Sequence, residues 1–301
     1  MKKPVNRLKR SENITGWAFI TPSLLIFVCL TLLPFVVSIL LSFVDWNFFG
    51  GLKKLKWVGL DNFVELFNGK DRSFLPSLQN SLVYTISIVP ASIVVSLIFA
   101  YCMNGRIYGK KLLRMAFFIP YICSVVAVGS VFKFLFKEEG IINNLLLQVG
   151  WISEPIGFAS DDRYTKIPVV LLSIWCSIGY QLILFTAAMQ NVPTSLYEAA
   201  KIDGAGGAMQ FIKITLPMIS PTIFYLVITR LMAVLKIFGS VNIMTQNSQI
   251  RSMTSVVQQI YNTAFRDRKF GDGSAKAMVL FAIILLVTAI NFWGQKKWVH
   301  Y

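Results

Sequence analysis

Between Glu12 and Asp45 the chain runs for 32 residues without a charged side chain, and five comparable runs follow. Uncharged stretches of 33, 18, 31, 16 and 19 residues separate Arg72 from Arg106, Arg114 from Lys133, Lys166 from Glu198, Lys213 from Arg230, and Lys276 from Lys296. About 20 apolar residues suffice for a helix to cross a bilayer. The pattern predicts an all-α integral membrane protein with six transmembrane helices, over roughly 15–44, 78–104, 114–136, 167–190, 214–238 and 276–295. Only 14% of the residues are charged, against about 25% in soluble domains. The mean hydropathy of +0.62 agrees.

The net charge of +15 does not indicate nucleic acid. A nucleic-acid binder presents its basic face on a water-soluble core, whereas here the charges are confined to gaps between apolar runs. Cys29, Cys102, Cys123 and Cys176 lie inside those runs without a CxxC pair. They read as small apolar residues rather than as disulfides or metal ligands. His300 is the only histidine, so no zinc site and no Ser-His-Asp set can be assembled.

The basic gaps orient the spans. The tail over 1–14 carries five Lys/Arg, and NGRIYGKKLLR carries four with no acid. Both are expected in the cytoplasm, together with the loop over 198–213 and the C-terminal residues 296–301, so both termini are cytoplasmic. The run from Thr15 to Val44 is too long for a cleaved signal; it is expected to bend near Pro22 and Pro34. Loops over 45–72, 133–166 and 237–276 fall on the opposite side. In the last of these, SVVQQIYNTAF spaces Val256, Val257, Ile260, Tyr261, Ala264 and Phe265 as an amphipathic helix lying on the outer face of the bundle.

The loop between spans four and five reads NVPTSLYEAAKIDGAGGAMQFIKITLP. Ser195 and Glu198 have capping-box spacing, which starts a helix there. Leu196, Ala199, Ala200 and Ile202 give it an apolar side, Gly204 stops it, and Gly206-Gly207 permits a reversal. Such a short helix suits a groove on a soluble partner.

This stretch resembles the EAA loop of binding-protein-dependent ABC importer permeases, through Glu198, Ala199, Ala200, Asp203, Gly204, Ala205, Phe211, Ile214, Leu216 and Pro217. PSLLIF at 22–27, LSFVDWN at 41–47, WVGLDNFVELF at 57–67 and the Phe270-Gly271 step are similar to the MalF/UgpA-like carbohydrate branch. The chain departs from that branch at Phe238-Gly239, at Thr245-Gln246-Asn247 and at Gly271-Asp272-Gly273-Ser274-Ala275.

The resemblance implies the type I ABC importer permease fold, with a transmembrane domain over 15–295 and a cytoplasmic EAA coupling helix within about 194–217. It implies a permease subunit for a sugar or oligosaccharide in a bacterial inner or plasma membrane, not an enzyme. The implied partners are a second permease subunit in a heterodimer, two ATPase subunits docking at the EAA loop, and an extracytoplasmic solute-binding protein. ATP and Mg would sit on the ATPase, with no cofactor on this chain. GRIYGKK at 105–111 lacks the spacing and hydroxyl of a phosphate loop. Glu198, Ala199, Ala200, Asp203, Gly204 and Ala205 are the ATPase-coupling residues that follow from the motif.

Charged groups inside spans cost about 2.5–3.5 kcal/mol near the centre on insertion scales and mark function. Arg230, Lys236 and Lys133 qualify by position, Lys133 fitting a residue that snorkels to the surface. Sugars are held by planar hydrogen-bonding groups beside aromatic faces. Trp175, Tyr180 and Gln181 on span four, with Tyr225 and Asn242 beyond the loop, supply both. The substrate-path candidates are therefore Gln181, Lys236, Asn242 and Arg230. An importer for a non-sugar solute keeps the same EAA loop. A secondary transporter or membrane enzyme needs acidic or histidine groups in the spans, and these are missing.

Overall fold

The computed structural model describes residues 7–46, 51, 55–105, 108–245 and 250–298. Arg106 of the basic loop, Asn47, Gln246-Asn247 and His300 lie outside the described residues. In chain order the helices are α1 (Arg7–Phe27), α2 (Leu33–Leu41), α3 (Asp61–Phe67), α4 (Phe74–Asn104), α5 (Lys110–Ile122), α6 (Val125–Leu135), α7 (Ile141–Gln148), α8 (Lys166–Gln190) and α9 (Thr194–Ile202). They continue with α10 (Gly207–Gln210), α11 (Leu216–Met218), α12 (Ser220–Leu235), α13 (Gly239–Met244), α14 (Val256–Tyr261) and α15 (Phe270–Trp298). The strands β1 (Val44–Asp45) and β2 (Lys56–Trp57) form an antiparallel ladder between α2 and α3.

Four helical stretches are long and apolar enough to cross a membrane: Glu12–Leu41, Phe74–Asn104, Lys166–Gln190 and Phe270–Gln295. Two bent pairs complete six spans. Span three divides at Cys123-Ser124, where α5 and α6 meet at 98°, and span five turns by 66° between Gly207–Met218 and Ser220–Leu235. The expectation of uninterrupted helices over 114–136 and 214–238 is corrected accordingly. Pro120 sits just before the first break and Pro221 just after the second. Proline removes an amide donor and crowds the preceding turn, so each break falls beside one. The first span accommodates Pro34 differently, through a π-helical turn over Val28–Leu32 directly before it, while Pro22 lies inside α1.

The chain forms two compact units. The first comprises residues 1–68 and 261–279. In it, the Asn62 amide donates to the carbonyls of Ser42 and Val44 at 2.9 and 3.1 Å, fixing α3 beneath the β1–β2 ladder. Phe43 stacks on Trp57 with ring centroids 5.8 Å apart, and Trp46 packs on Phe270 at 5.2 Å. These are residues of the LSFVDWN and WVGLDNF stretches, so their likeness to known permeases has a local structural cause. Lys276 is 2% exposed and donates to the Thr263 hydroxyl at 2.7 Å. The last helix therefore begins at Phe270, and Lys276 is internal to it rather than marking its edge.

The second unit comprises residues 69–260 and 280–301 and contains a bundle of α4, α5, α6, α8, α12 and α13. Two apolar clusters build its core. One gathers Tyr84, Ile88, Leu172, Val234 and Val241; the other gathers Ile93, Phe185, Met189, Ile219 and Leu226. Along α4 a stripe of small polar residues, Ser77, Ser81, Thr85, Ser92 and Ser96, is buried. Small residues let membrane helices approach closely, and their hydroxyls bond across the gap.

The segment over 250–260 is drawn into this unit. Asn80 donates to the carbonyls of Arg251 and Thr254, Tyr84 donates to the Met253 carbonyl at 2.8 Å, and the Val256 amide donates to Ser81 at 2.9 Å. Gln258 and Gln259 are buried and donate to Thr245 and Ser73, whereas Tyr261 and Phe265 are exposed. The expected apolar face is only partly kept: Val256 and Ala264 are buried and Val257 and Ile260 half-buried, but the same segment also buries Gln258 and Gln259, whose amides are bonded inside. Apolar periodicity alone cannot register buried amides whose partners lie far away in sequence.

Candidate functional site

The loop between α8 and α12 holds the first candidate feature. Helix α9 starts at Thr194, one residue before the expected cap, with Pro193 at the N-cap position and no side-chain capping bond. The Ser195–Glu198 box therefore does not form. Glu198 instead projects its carboxylate outward, where it pairs with no described residue. The C-terminal end is as expected. The Ala205 amide donates to the Ala200 carbonyl at 2.8 Å, the Gly204 amide donates to Lys201 at 3.1 Å, and Gly204 has φ of +76°. This is the Schellman arrangement, and its left-handed residue favours glycine. Gly206 has φ of −70° and carries no reversal; the turn belongs to Gly204.

One side of α9 rests on the bundle. Tyr197 packs against the second apolar cluster and its hydroxyl lies 2.9 Å from that of Thr215, while Ala200 and Ala205 are half-buried. The other side, with Glu198, Ala199 and Ile202, faces outward, and Ile202 is 87% exposed. The expected apolar side is thus split: Ala200 anchors, whereas Ile202 is presented. Asp203 is the C-cap residue and is exposed. Replacing Gly204 with Val places a β-branched residue in the left-handed region, at a cost of roughly 1–2 kcal/mol. We expect its thermal midpoint to fall and Gly204→Asn to fall less, since Asn tolerates this region. Equal midpoints for Val and Gly would contradict the assigned turn.

The second feature is a cavity of about 340 Å³ midway along α8. Tyr121, Cys123, Tyr180, Gln181, Thr229 and Arg230 are among its lining residues, drawn from the α5–α6 break, α8 and α12. Gly179 makes this wall possible: a Cβ there would lie 2.2 Å from the Phe117 carbonyl oxygen, so α5 crosses α8 at backbone contact. Tyr121 and Tyr180 stack at 5.2 Å with 18° between their planes, and the hydroxyls of Tyr180 and Tyr225 are 3.3 Å apart.

The four substrate-path candidates separate. Gln181 and Arg230 meet in this cavity. The Gln181 amide is nevertheless committed: it accepts from Ser96 at 2.8 Å and donates to Ser92 at 3.3 Å, clamping α8 to α4. Arg230 donates to the Ser173 carbonyl at 2.6 Å, and its Nε is buried without a partner. Lys236 is exposed at the C-cap of α12, and Asn242 lies half-buried on α13 with its carbonyl accepting from Thr245; neither lines the cavity. Trp175 packs on Phe132 instead, at 5.4 Å. Tyr121 is the residue sequence reasoning passed over. Its position directly after Pro120, in the bend of a span, was the available signal.

A multi-span bundle with a mid-span cavity and an exposed loop helix has the build of a membrane transport component. The chain belongs to the binding-protein-dependent transport system inner membrane component family, which it matches over residues 72–295. It is 33% identical to the probable ABC transporter permease protein YesP of Bacillus subtilis, over 100% of this chain and 96% of that protein. It is 34% identical to the lactose transport system permease protein LacF of Rhizobium radiobacter, over 95% and 94% of the two chains. Its fold superposes on a bacterial alginate ABC transporter in complex with an alginate pentasaccharide-bound periplasmic protein. There the TM-score is 0.83 at 21% identity, over 96% of each chain.

Proposed function

We propose that this permease forms half of the translocation path of an ABC importer for a sugar or oligosaccharide. A second permease subunit completes the path as a heterodimer. Two ATPase subunits dock at the EAA loops, and an extracytoplasmic binding protein delivers the solute. Both termini and α9 lie in the cytoplasm, in keeping with the basic tail and the basic loop before α5. The observation that carries the proposal is the geometry of α9: a short helix capped by Gly204, tethered through Tyr197 and presenting Glu198, Ala199 and Ile202. ATPase closure would push on this presented face, and the Tyr197–Thr215 contact would pass the movement to the base of span five. The lactose permease named above supports sugar as the solute.

The test is uptake by the whole complex in vesicles. Labelled oligosaccharide is expected to accumulate only when ATP and the binding protein are both supplied. Accumulation by this chain alone, driven by an ion gradient, would instead establish a secondary transporter.

A further inference from the structure

We infer that the mid-bundle cavity is a subsite for an oxyanion carried on the transported saccharide, held by Arg230. This rests on the importer reading and adds the chemical class of its substrate. Among the described residues Arg230 is the only charged one lining the cavity, and no Asp or Glu lines it. The chain supplies no carboxylate along Lys166–Gln190 or Ser220–Leu235 that could neutralise it. Its guanidinium offers five N–H donors and no acceptor. One group donates to the Ser173 carbonyl, which fixes the plane, and the buried Nε has no hydrogen-bond partner among the described residues.

A planar fork fixed in this way matches a carboxylate or a phosphate, which accept two parallel bonds from it. The rest of the lining suits a sugar ring. The stacked pair Tyr121–Tyr180 offers an aromatic face, with hydroxyls on Tyr180, Ser177 and Thr229 close by. Tyr121 is 49% exposed. The volume of about 340 Å³ lies in the range of small-ligand sites.

The experiment uses the assembled complex of both permeases and the ATPase subunits, in detergent at low salt. Its unfolding midpoint is titrated with three probes: digalacturonate, galactobiose as the neutral counterpart, and galactose 6-phosphate. We expect one or both oxyanion probes to bind roughly ten- to hundredfold more tightly than galactobiose. Which of the two binds separates a uronate from a sugar phosphate. Arg230→Gln should bring them to the neutral level, and Arg230→Lys should keep part of the preference, because charge survives without the fork. The Lys variant also reads the site if the Gln variant does not assemble.

Equal titrations for charged and neutral probes overturn the inference, as does no response to any probe. So does a preference that survives Arg230→Gln. Loss of the second permease from the Arg230→Gln complex before any probe is added, with Arg230→Lys retaining it, assigns the charge to a subunit contact and also overturns it. A complex that imports sugar with ATP but shows no charge preference fails this inference alone. A complex with no ATP-dependent import fails the importer reading itself.

Discussion

A chain in which residues 198–204 are replaced by an equal-length Gly/Ser linker inserts into the membrane but no longer co-purifies with ATPase subunits. The expected loss is complete, because the replacement removes every outward-facing group that α9 presents after Leu196, together with the turn that ends it. Insertion survives because α8 and α12 keep their own contacts: Gln181 remains bonded to Ser92 and Ser96, and Phe185, Met189, Ile219 and Leu226 remain packed. The loop is neutral overall, with Glu198 and Asp203 balancing Lys201 and Lys213. Its binding should therefore change little between low and moderate salt, as expected for a contact made by shape rather than net charge. Undiminished co-purification of the linker variant would remove α9 from the ATPase interface.

The second large effect is expected at Gly179. A methyl group there meets the Phe117 carbonyl oxygen at 2.2 Å and the Phe118 Cα at 2.6 Å. Both are backbone atoms, so no rotamer change relieves the clash, and α5 must move away from α8. Overpacking of this kind costs about 1–3 kcal/mol, a fall of roughly 2–5 °C in thermal midpoint for a chain of this size. Gly179→Ala should show that fall, and Gly179→Leu should not yield a monodisperse complex by gel filtration. Because α5 and α8 are two walls of the cavity, Gly179→Ala should also weaken saccharide uptake without touching α9. A wild-type midpoint in Gly179→Ala would mean that the two helices do not meet there.

The spans were legible because lipid imposes a simple rule: long uncharged stretches satisfy their own backbone as helices. Arg72 to Arg106 and Lys166 to Glu198 thus gave α4 and α8 to within a few residues. The end of α9 was legible for a similar reason, since few residues other than glycine serve at φ of +76°. The start was not. Ser195 and Glu198 have the spacing of a box, but Pro193 presets the backbone one step earlier, and helix geometry follows the proline.

The cavity was half legible. Arg230 stood out as a charge inside a span, and Gln181 as an amide beside aromatic residues. That Gln181 serves α4 could not be read from span four alone, because its partners Ser92 and Ser96 lie 89 and 85 residues away. Lys236 looked internal only while span five was drawn to 238; α12 ends at Leu235, which puts Lys236 outside. Lys276 is the converse case: it bounded an apolar run in the sequence, yet it is buried and bonded to Thr263. Hydropathy treats a charge as an edge, whereas a hydroxyl partner can bring it inside.

The 98° break in span three has one further consequence. At Cys123 and Ser124 the backbone is extended, and the first amides of α6 have no helical carbonyl to receive them. Ser124 Oγ accepts from the Val126 amide at 3.3 Å, one of those donors. Exposed to hydrocarbon, the rest would cost several kcal/mol each; such backbone is tolerated at membrane depth where it borders water or protein. Cys123 and Val125 line the cavity, so the irregular backbone of the break borders that cavity. The cavity and the break in span three therefore depend on one another: a substitution that filled the cavity would leave the freed amides of α6 without a polar surrounding.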